Sequence, residues 1–149
     1  MSKIYLKTYF YVEHEIKFLI MNLIEAYDHI DKFIICEHNR THTGQPRDFI
    51  FEKYKDRFPE EMMDRVLYLP CDISGETVEA YDNEDAIHAV NEPVMRSVFM
   101  TNLNLNDDDV ILNIQGDEPM LIPDMIDLTA NPMITDKDVD AVVLAMPIL

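Results

Sequence analysis

The sequence is poor in glycine and in basic residues, and each shortage excludes a class of protein. Only three of the 149 residues are glycine, and neither a Gly-x-Gly-x-x-Gly turn nor a P-loop is present. Lysine and arginine number 12 against 29 acidic residues, which gives a formal charge of −17. This charge argues against nonspecific binding to nucleic acid or to an anionic membrane. The negative charge does not exclude binding of a nucleotide together with a metal ion, because the cation makes the local charge positive.

Cysteines are few, and long apolar runs are missing. Cys36 and Cys71 can form at most one disulfide. Because Cys36 falls in a predicted buried strand, we expect reduced thiols in the core. No apolar run approaches the about 20 residues of a membrane span, and the N-terminal MSKIYLKTYF lacks the features of a signal peptide. We therefore expect one cytoplasmic domain over residues 1–149, with no membrane or nucleic-acid partner.

What the sequence does contain is an alternation of strand and helix patterns. Short runs rich in β-branched and aromatic residues predict strands, and apolar residues at helical spacing predict helices. The predicted strands are Lys3–Phe10, Asp31–Glu37, Arg65–Leu69 (stopped by Pro70), Val110–Ile114 and Asp140–Pro147. The predicted helical regions are Glu13–Tyr27, Phe49–Phe58 (short or irregular), Glu84–Leu105 and Pro123 to about Thr129. This order predicts an α/β fold, a mostly parallel sheet with helices on both faces.

The stretch from Asp107 to Pro123 carries the most suggestive chemistry. Its apolar run, Val110–Ile114, predicts a strand buried on both faces, and Gln115-Gly116-Asp117-Glu118-Pro119 then breaks that strand. Ligands of open α/β sheets bind just beyond the carboxyl ends of the strands. Asp117 and Glu118 at such an end suit a hard divalent cation that bridges to phosphates. We interpret the preceding acidic run, residues 107–109, as a loop kept soluble by its charge.

A second polar loop, Glu37–Pro46, follows the second predicted strand and is expected to face the same cleft. Glu37, Asn39 and Arg40 are candidates to contact a nucleoside or a diphosphate. Ordinary hydrogen bonding within the loop is the alternative. His38 and His42 are only a weak indication of zinc, because no third clustered ligand accompanies them. The methionines are interpreted as filling the core.

Two resemblances add to this interpretation. Residues 39–58, NRTHTGQPRDFIFEKYKDRF, resemble the segment after the second strand in family seventeen glycosyltransferases, the family of the bisecting N-acetylglucosaminyltransferase, with Gln45 in place of a lysine. Asn91-Glu92 with Arg96 resembles a helix of that family, and residues 107–117 resemble its acidic run. The resemblance implies a GT-A fold, a sugar-nucleotide and a metal held by an Asp-x-Asp motif. Gln115 stands where the first Asp of that motif is expected.

The second resemblance is to CMP-sugar synthetases, especially the one that activates the Kdo sugar. Residues 113–119 resemble their metal-binding run, and residues 144–148, LAMPI, resemble a later strand. Those enzymes hold the CTP phosphates with an Arg- and Lys-containing loop after the first strand. Residues 9–15 of this chain contain no arginine and no glycine. This difference argues against a synthetase, because nucleotidyl transfer needs cationic groups that stabilise the triphosphate.

We therefore predict a small, minimal or truncated GT-A-type glycosyltransferase. It would bind a nucleotide-sugar, with a UDP-sugar favoured, and transfer the sugar to a hydroxyl acceptor. The predicted metal, Mn²⁺ or Mg²⁺, has Asp117, Gln115 and Glu118 as its ligands. The predicted contacts with the sugar-nucleotide are Glu37, Asn39, Arg40, Arg96 and Gln115.

No catalytic residue can be identified from the sequence. Because the chain stops at Leu149, where GT-A enzymes usually continue into the acceptor site, we expect a homodimer or larger assembly. The alternatives are a noncatalytic sugar-nucleotide-binding protein and a CMP-sugar synthetase-like nucleotidyltransferase.

Overall fold

The structure, a computed structural model, describes residues 2–41, 45–72, 103–117 and 121–143. Its strands are β1 (Ile4–Tyr9), β2 (Lys32–His38), β3 (Val66–Cys71) and β4 (Val110–Gln115). Its α-helices are α1 (Ile16–Ala26), α2 (Phe51–Tyr54) and α3 (Pro123–Thr135). The four strands form one sheet in the order β3-β2-β1-β4, and every neighbouring pair is parallel. The predicted α/β fold with a parallel sheet is confirmed.

The larger core lies on the face of the sheet that α1 and α3 cover. The apolar residues of α1 recur at intervals of three and four, so they form one buried stripe. This stripe packs against side chains of β1 and β2, and α3 adds Ile126 and Ala130 near it. The fully buried members of this core include Leu6, Phe10, Leu19, Leu23, Ala26, Phe33 and Ile35. The predicted bounds of β1 and β2 are thus confirmed within one residue, and α1 begins three residues after the predicted start and ends one residue before the predicted end.

The opposite face of the sheet has a smaller core, formed by Tyr5, Ile34 and Cys36 with Leu103 and Leu105. Cys36 and Cys71 are both buried free thiols, as the sequence predicted. Burial raises the pKa of the Cys36 thiol well above its ordinary value.

Two of the predicted strands differ from what the structure shows. The third strand does not stop at Pro70 but continues to Cys71, with Pro70 opposite Glu37 of β2. Proline is tolerated there because β3 lies at an edge of the described sheet. β4 is not buried on both faces, since Asn113 and Gln115 are exposed.

Three further predictions concern the second half of the chain. α3 begins at Pro123 as predicted but continues to Thr135 rather than ending near Thr129. Of the predicted fifth strand, residues 140–143 are described and are not in a strand. The predicted helix over 84–105 falls mostly outside the described residues, and 103–105, its last three, are not helical. Within the described ranges, no helix has both the length and the apolarity to span a membrane.

Candidate functional site

The strand order reverses between β1 and β4. From β1 the chain proceeds to β2 and β3 on one side, and it then returns to place β4 on the other side of β1. In open α/β sheets, ligands bind at the carboxyl ends of the strands where such a reversal leaves a crevice. Tyr9, the last residue of β1, pairs with Gln115, the last residue of β4. The predicted metal ligands Gln115 and Asp117 therefore lie at this crevice, which we name the switch-point crevice.

Gly116 allows β4 to end close against β1. A Cβ atom at position 116 would collide with the carbonyl oxygen of Tyr9 and would lie 3.1 Å from the Cβ atom of Phe10. A larger residue would therefore force the two strand ends apart. The glycine is needed here because the backbones approach closely.

The side chains on either side of Gly116 are exposed. Gln115 and Asp117 are both accessible to solvent, whereas Gly116 is buried. No described side chain forms an ion pair with the Asp117 carboxylate. Glu118, the third predicted ligand, lies outside the described residues.

Asp117 also lines a largely apolar cavity of about 830 Å³ between β4 and α3. Leu112, Met125 and Thr129 are among the residues that line this cavity with it. A ligand at the switch-point crevice could therefore extend beside α3.

These residues can be compared with what a divalent metal needs. Within the described ranges, no three His, Cys, Asp or Glu side chains come together as a protein cage for a metal. Mg²⁺ is commonly held by one or two carboxylates together with the phosphates of a substrate. One exposed carboxylate at a strand end fits that second arrangement and does not fit a structural site.

Glu37 is fully buried at the end of β2, and its carboxylate is occupied by protein hydrogen-bond donors. Oε1 accepts hydrogen bonds from Nη2 of Arg47 at 2.6 Å and from the backbone N–H of Ile50 at 2.7 Å. Oε2 accepts from the hydroxyl of Tyr68 at 2.7 Å and from the backbone N–H of Phe51 at 3.0 Å. A carboxylate has about four acceptor positions, so Glu37 positions the following segment and has none left for a nucleotide.

Asn39 and Arg40, the other two candidates after β2, lie on a short antiparallel arm, which we define as residues 39–41 and 45–47. The backbones of Arg40 and Pro46 form an isolated antiparallel β-bridge, and the backbone N–H of Arg47 donates to the carbonyl of Asn39 at 3.0 Å. The Asn39 amide donates to the Asp72 carboxylate beyond β3 at 2.7 Å. The arm therefore stands at the carboxyl edge of the sheet, as predicted for this loop.

The remaining candidates have different positions. His38 is buried in β2 and stacks on the Tyr9 ring, with 5.4 Å between the centroids. His42 and Arg96 lie outside the described residues. The structure thus places Asn39 and Arg40 on the arm after β2, and Gln115 and Asp117 at the end of β4.

Arg47 belongs to this region and was not among the sequence candidates. Its Nη1 donates to the carbonyl of Phe10 just after β1 at 3.2 Å, while Nη2 binds Glu37. Its side chain is 9% exposed, and its guanidinium carbon lies 5.8 Å from the centroids of the Phe10 and Tyr11 rings. One feature of the sequence indicates such a residue: Glu37 is an acidic residue in a predicted buried strand, and a buried carboxylate needs a cationic partner nearby.

The turn from β1 into α1 carries its own carboxylate. Oε2 of Glu15 accepts hydrogen bonds from the backbone N–H groups of Tyr11 at 2.6 Å and Val12 at 3.3 Å. Backbone N–H groups at this position bind phosphate in many nucleotide-binding folds. Here Glu15 already uses them, and its negative charge opposes an anion at the same point.

The parallel sheet and its switch-point crevice define a Rossmann-like α/β domain of the class that binds nucleotides. The chain belongs to glycosyltransferase family 17, whose family model matches residues 4–130. No solved structure matches the chain.

Shorter similarities connect the chain with two curated cytidylyltransferases. It is 47% identical over 47 residues to 3-deoxy-manno-octulosonate cytidylyltransferase 1 of Hydrogenovibrio crunogenus, over 32% of this chain and 18% of that protein. It is 53% identical over 34 residues to 3-deoxy-manno-octulosonate cytidylyltransferase of Vesicomyosocius okutanii, over 23% of this chain and 14% of that protein. The chain thus spans less than a fifth of either relative. Both resemblances predicted from the sequence are confirmed.

Proposed function

We propose that this chain is the nucleotide-sugar-binding domain of a metal-dependent glycosyltransferase, which transfers a sugar to a hydroxyl acceptor. The observation that carries the proposal is the position of Gln115 and Asp117 at the switch-point crevice of a family 17 chain. A UDP-sugar is the favoured sugar donor, on the strength of the resemblance described above.

In this proposal Asp117 is the main protein ligand of Mn²⁺ or Mg²⁺, and the side-chain oxygens of Gln115 and Glu118 assist. When bound, the metal would neutralise the diphosphate leaving group as negative charge builds on it. Since Gln115 brings no charge, most of the attraction for the cation would come from Asp117 and from the diphosphate itself.

The sugar-nucleotide contacts in this proposal come from Asn39 and Arg40 on the arm, with Gln115 at the end of β4 and Arg96. An arginine guanidinium suits a diphosphate, because its planar N–H groups can form paired charge-assisted hydrogen bonds. Glu37 serves the same site indirectly, through the segment that it fixes.

A cytidylyltransferase-like reaction is the second candidate, and the two short similarities favour it. The turn after β1 opposes it. A nucleotidyl transfer needs cationic stabilisation of a triphosphate, and the N–H groups of Tyr11 and Val12 are bound by the Glu15 carboxylate instead. A noncatalytic sugar-nucleotide-binding protein is the third candidate, because the sequence itself points to no catalytic base.

Thermal-shift measurements with UDP-sugars, GDP-sugars and CTP, each with Mn²⁺, Mg²⁺ or EDTA, separate these candidates. A shift with a UDP-sugar that requires metal supports the proposal, and detection of sugar transfer or donor hydrolysis then distinguishes an enzyme from a binder. A shift with CTP alone would favour the second candidate.

We also propose a homodimer or larger assembly, and a monomer in size-exclusion chromatography with light scattering would contradict it.

A further inference from the structure

We propose that Arg47 is a positioning residue for the sugar-nucleotide: it fixes the arm that carries Asn39 and Arg40 relative to the strand ends that carry Gln115 and Asp117. This inference rests on the proposed function for its ligand. The contacts that support it belong to Arg47, Glu37, Phe10 and Gly116.

Arg47 joins three parts of the chain at one point. Its backbone N–H binds the carbonyl of Asn39 across the arm at 3.0 Å. Its guanidinium binds Glu37 at the end of β2 at 2.6 Å and the Phe10 carbonyl after β1 at 3.2 Å. Because two separate N–H groups of one rigid plane are used, both strand ends are held in a fixed relation to the arm.

The connection continues from Phe10 to the proposed metal site. Gly116 leaves no room for a side chain here, since an added Cβ atom would collide with the Tyr9 carbonyl and lie 3.1 Å from the Cβ atom of Phe10, and Asp117 is the next residue. A displacement of the Phe10 backbone would therefore displace Gly116 and its neighbour. In this way Arg47 connects the arm with the end of β4 through a continuous series of packed groups.

Glu37 fixes the returning end of the arm as well. Besides Arg47 it binds the backbone N–H groups of Ile50 and Phe51, where α2 begins. The outgoing end is fixed by the Asn39 amide on Asp72. With both ends held, Asn39 and Arg40 keep a constant position beside the crevice, which lowers the ordering cost of binding a ligand.

The test compares one substitution at each of two cationic residues in neighbouring segments, Arg47 and Lys55. Arg47→Lys keeps the positive charge but cannot reach two acceptors with a planar fork. Lys55→Met removes a cation that pairs, among the described residues, with an exposed Glu52 at 2.5 Å, away from the arm. We expect Arg47→Lys to raise the Kd for a UDP-sugar with Mn²⁺ by about tenfold, with a smaller change in kcat, and Lys55→Met to leave both within about twofold.

A loss of stability alone must be separated from a loss of positioning. Leu23→Val should lower the melting temperature, because it removes a methylene from a fully buried side chain, and Leu23 lies in α1, outside the arm. If Arg47→Lys weakens binding while Leu23→Val, measured well below its own melting temperature, does not, the positioning role is supported. A UDP-sugar Kd for Arg47→Lys equal to that of the unchanged protein would overturn the proposal.

A different outcome would separate this inference from the proposed function. If the unchanged protein binds no UDP-sugar with metal, the proposed function fails, and amide hydrogen exchange decides the role of Arg47. Faster exchange at Thr41, Arg47 and Ile50 in Arg47→Lys, with unchanged exchange in α1, supports the fixing of the arm. Equal exchange in the two proteins overturns it.

Discussion

Glu37 and Arg47 form a buried ion pair, with 2.6 Å between Oε1 and Nη2 and side-chain exposures of 0% and 9%. Removing one partner of a buried pair leaves the other charge without compensation, at a cost of about 3 to 5 kcal/mol. Glu37→Ala should therefore lower the free energy of unfolding by about that amount, as measured by urea denaturation.

The exposed pair Lys55–Glu52 is the matched control for this prediction. Because solvent screens it, Glu52→Ala should change the free energy of unfolding by less than about 1 kcal/mol. Equal costs for Glu37→Ala and Glu52→Ala would contradict a structural role for the buried pair.

Asp109 joins the amino ends of β1 and β4. Its Oδ1 accepts a hydrogen bond from the backbone N–H of Lys3 at 3.0 Å, and its Oδ2 accepts one from the backbone N–H of Asn106 at 2.9 Å. These hydrogen bonds hold the pKa of the Asp109 carboxyl below its ordinary value, and the bond from Asn106 has the larger effect. Since the folded pKa is lowered, the stabilisation is present above the ordinary pKa of 3.8 and is lost as the pH falls through the folded pKa.

Asp109→Asn should therefore be less stable than the unchanged protein at neutral pH, and the difference should narrow as the pH falls below 3.8. Thermal melts across this pH range would measure it. Asp107→Asn, on an exposed carboxylate two residues earlier, is the control. A difference that stays constant down to the lowest pH would show that the hydrogen bonds do not depend on the charge of Asp109.

Gly116→Ala should force the ends of β1 and β4 apart, because the added methyl group would collide with the Tyr9 carbonyl. Overpacking of this kind costs about 1 to 3 kcal/mol, and chemical denaturation would measure it. Asn113→Ala, at an exposed position within β4, should cost less than about 0.5 kcal/mol. A Gly116→Ala protein as stable as the unchanged one would show that the strand ends tolerate separation.

The β1–α1–β2 unit and the position of Asp117 were predictable from sequence, because both depend on local patterns. Apolar spacing identifies α1, and the break at Gly116 identifies the end of β4. The extension of β3 through Pro70 was not predictable, because the tolerance comes from its place at an edge of the described sheet. The sequence also left Glu37 as a candidate ligand contact, with hydrogen bonding within the protein as the alternative. It could not decide between the two, because the donors that occupy the Glu37 carboxylate come from residues 47–51 and from Tyr68 in β3, which only the fold brings to it.

The sequence also did not identify Arg47, the partner of Glu37, as part of this region. Its neighbours in sequence are exposed or half-buried loop residues, and nothing in them indicates a buried guanidinium. Only the folded arm brings it to both Glu37 and the Phe10 carbonyl.

In the proposed function, Asp117 holds a metal that in turn holds a nucleotide-sugar. The most direct measurement is the thermal shift produced by a UDP-sugar with Mn²⁺ in the unchanged protein, in Asp117→Ala and in Asp107→Asn. Asp107 precedes the amino end of β4 and Asp117 follows its carboxyl end, so the pair tests the two ends of one strand. We predict a shift that EDTA removes, that Asp117→Ala abolishes without unfolding the domain, and that Asp107→Asn retains. An undiminished shift in Asp117→Ala would contradict the role of Asp117 as a metal ligand.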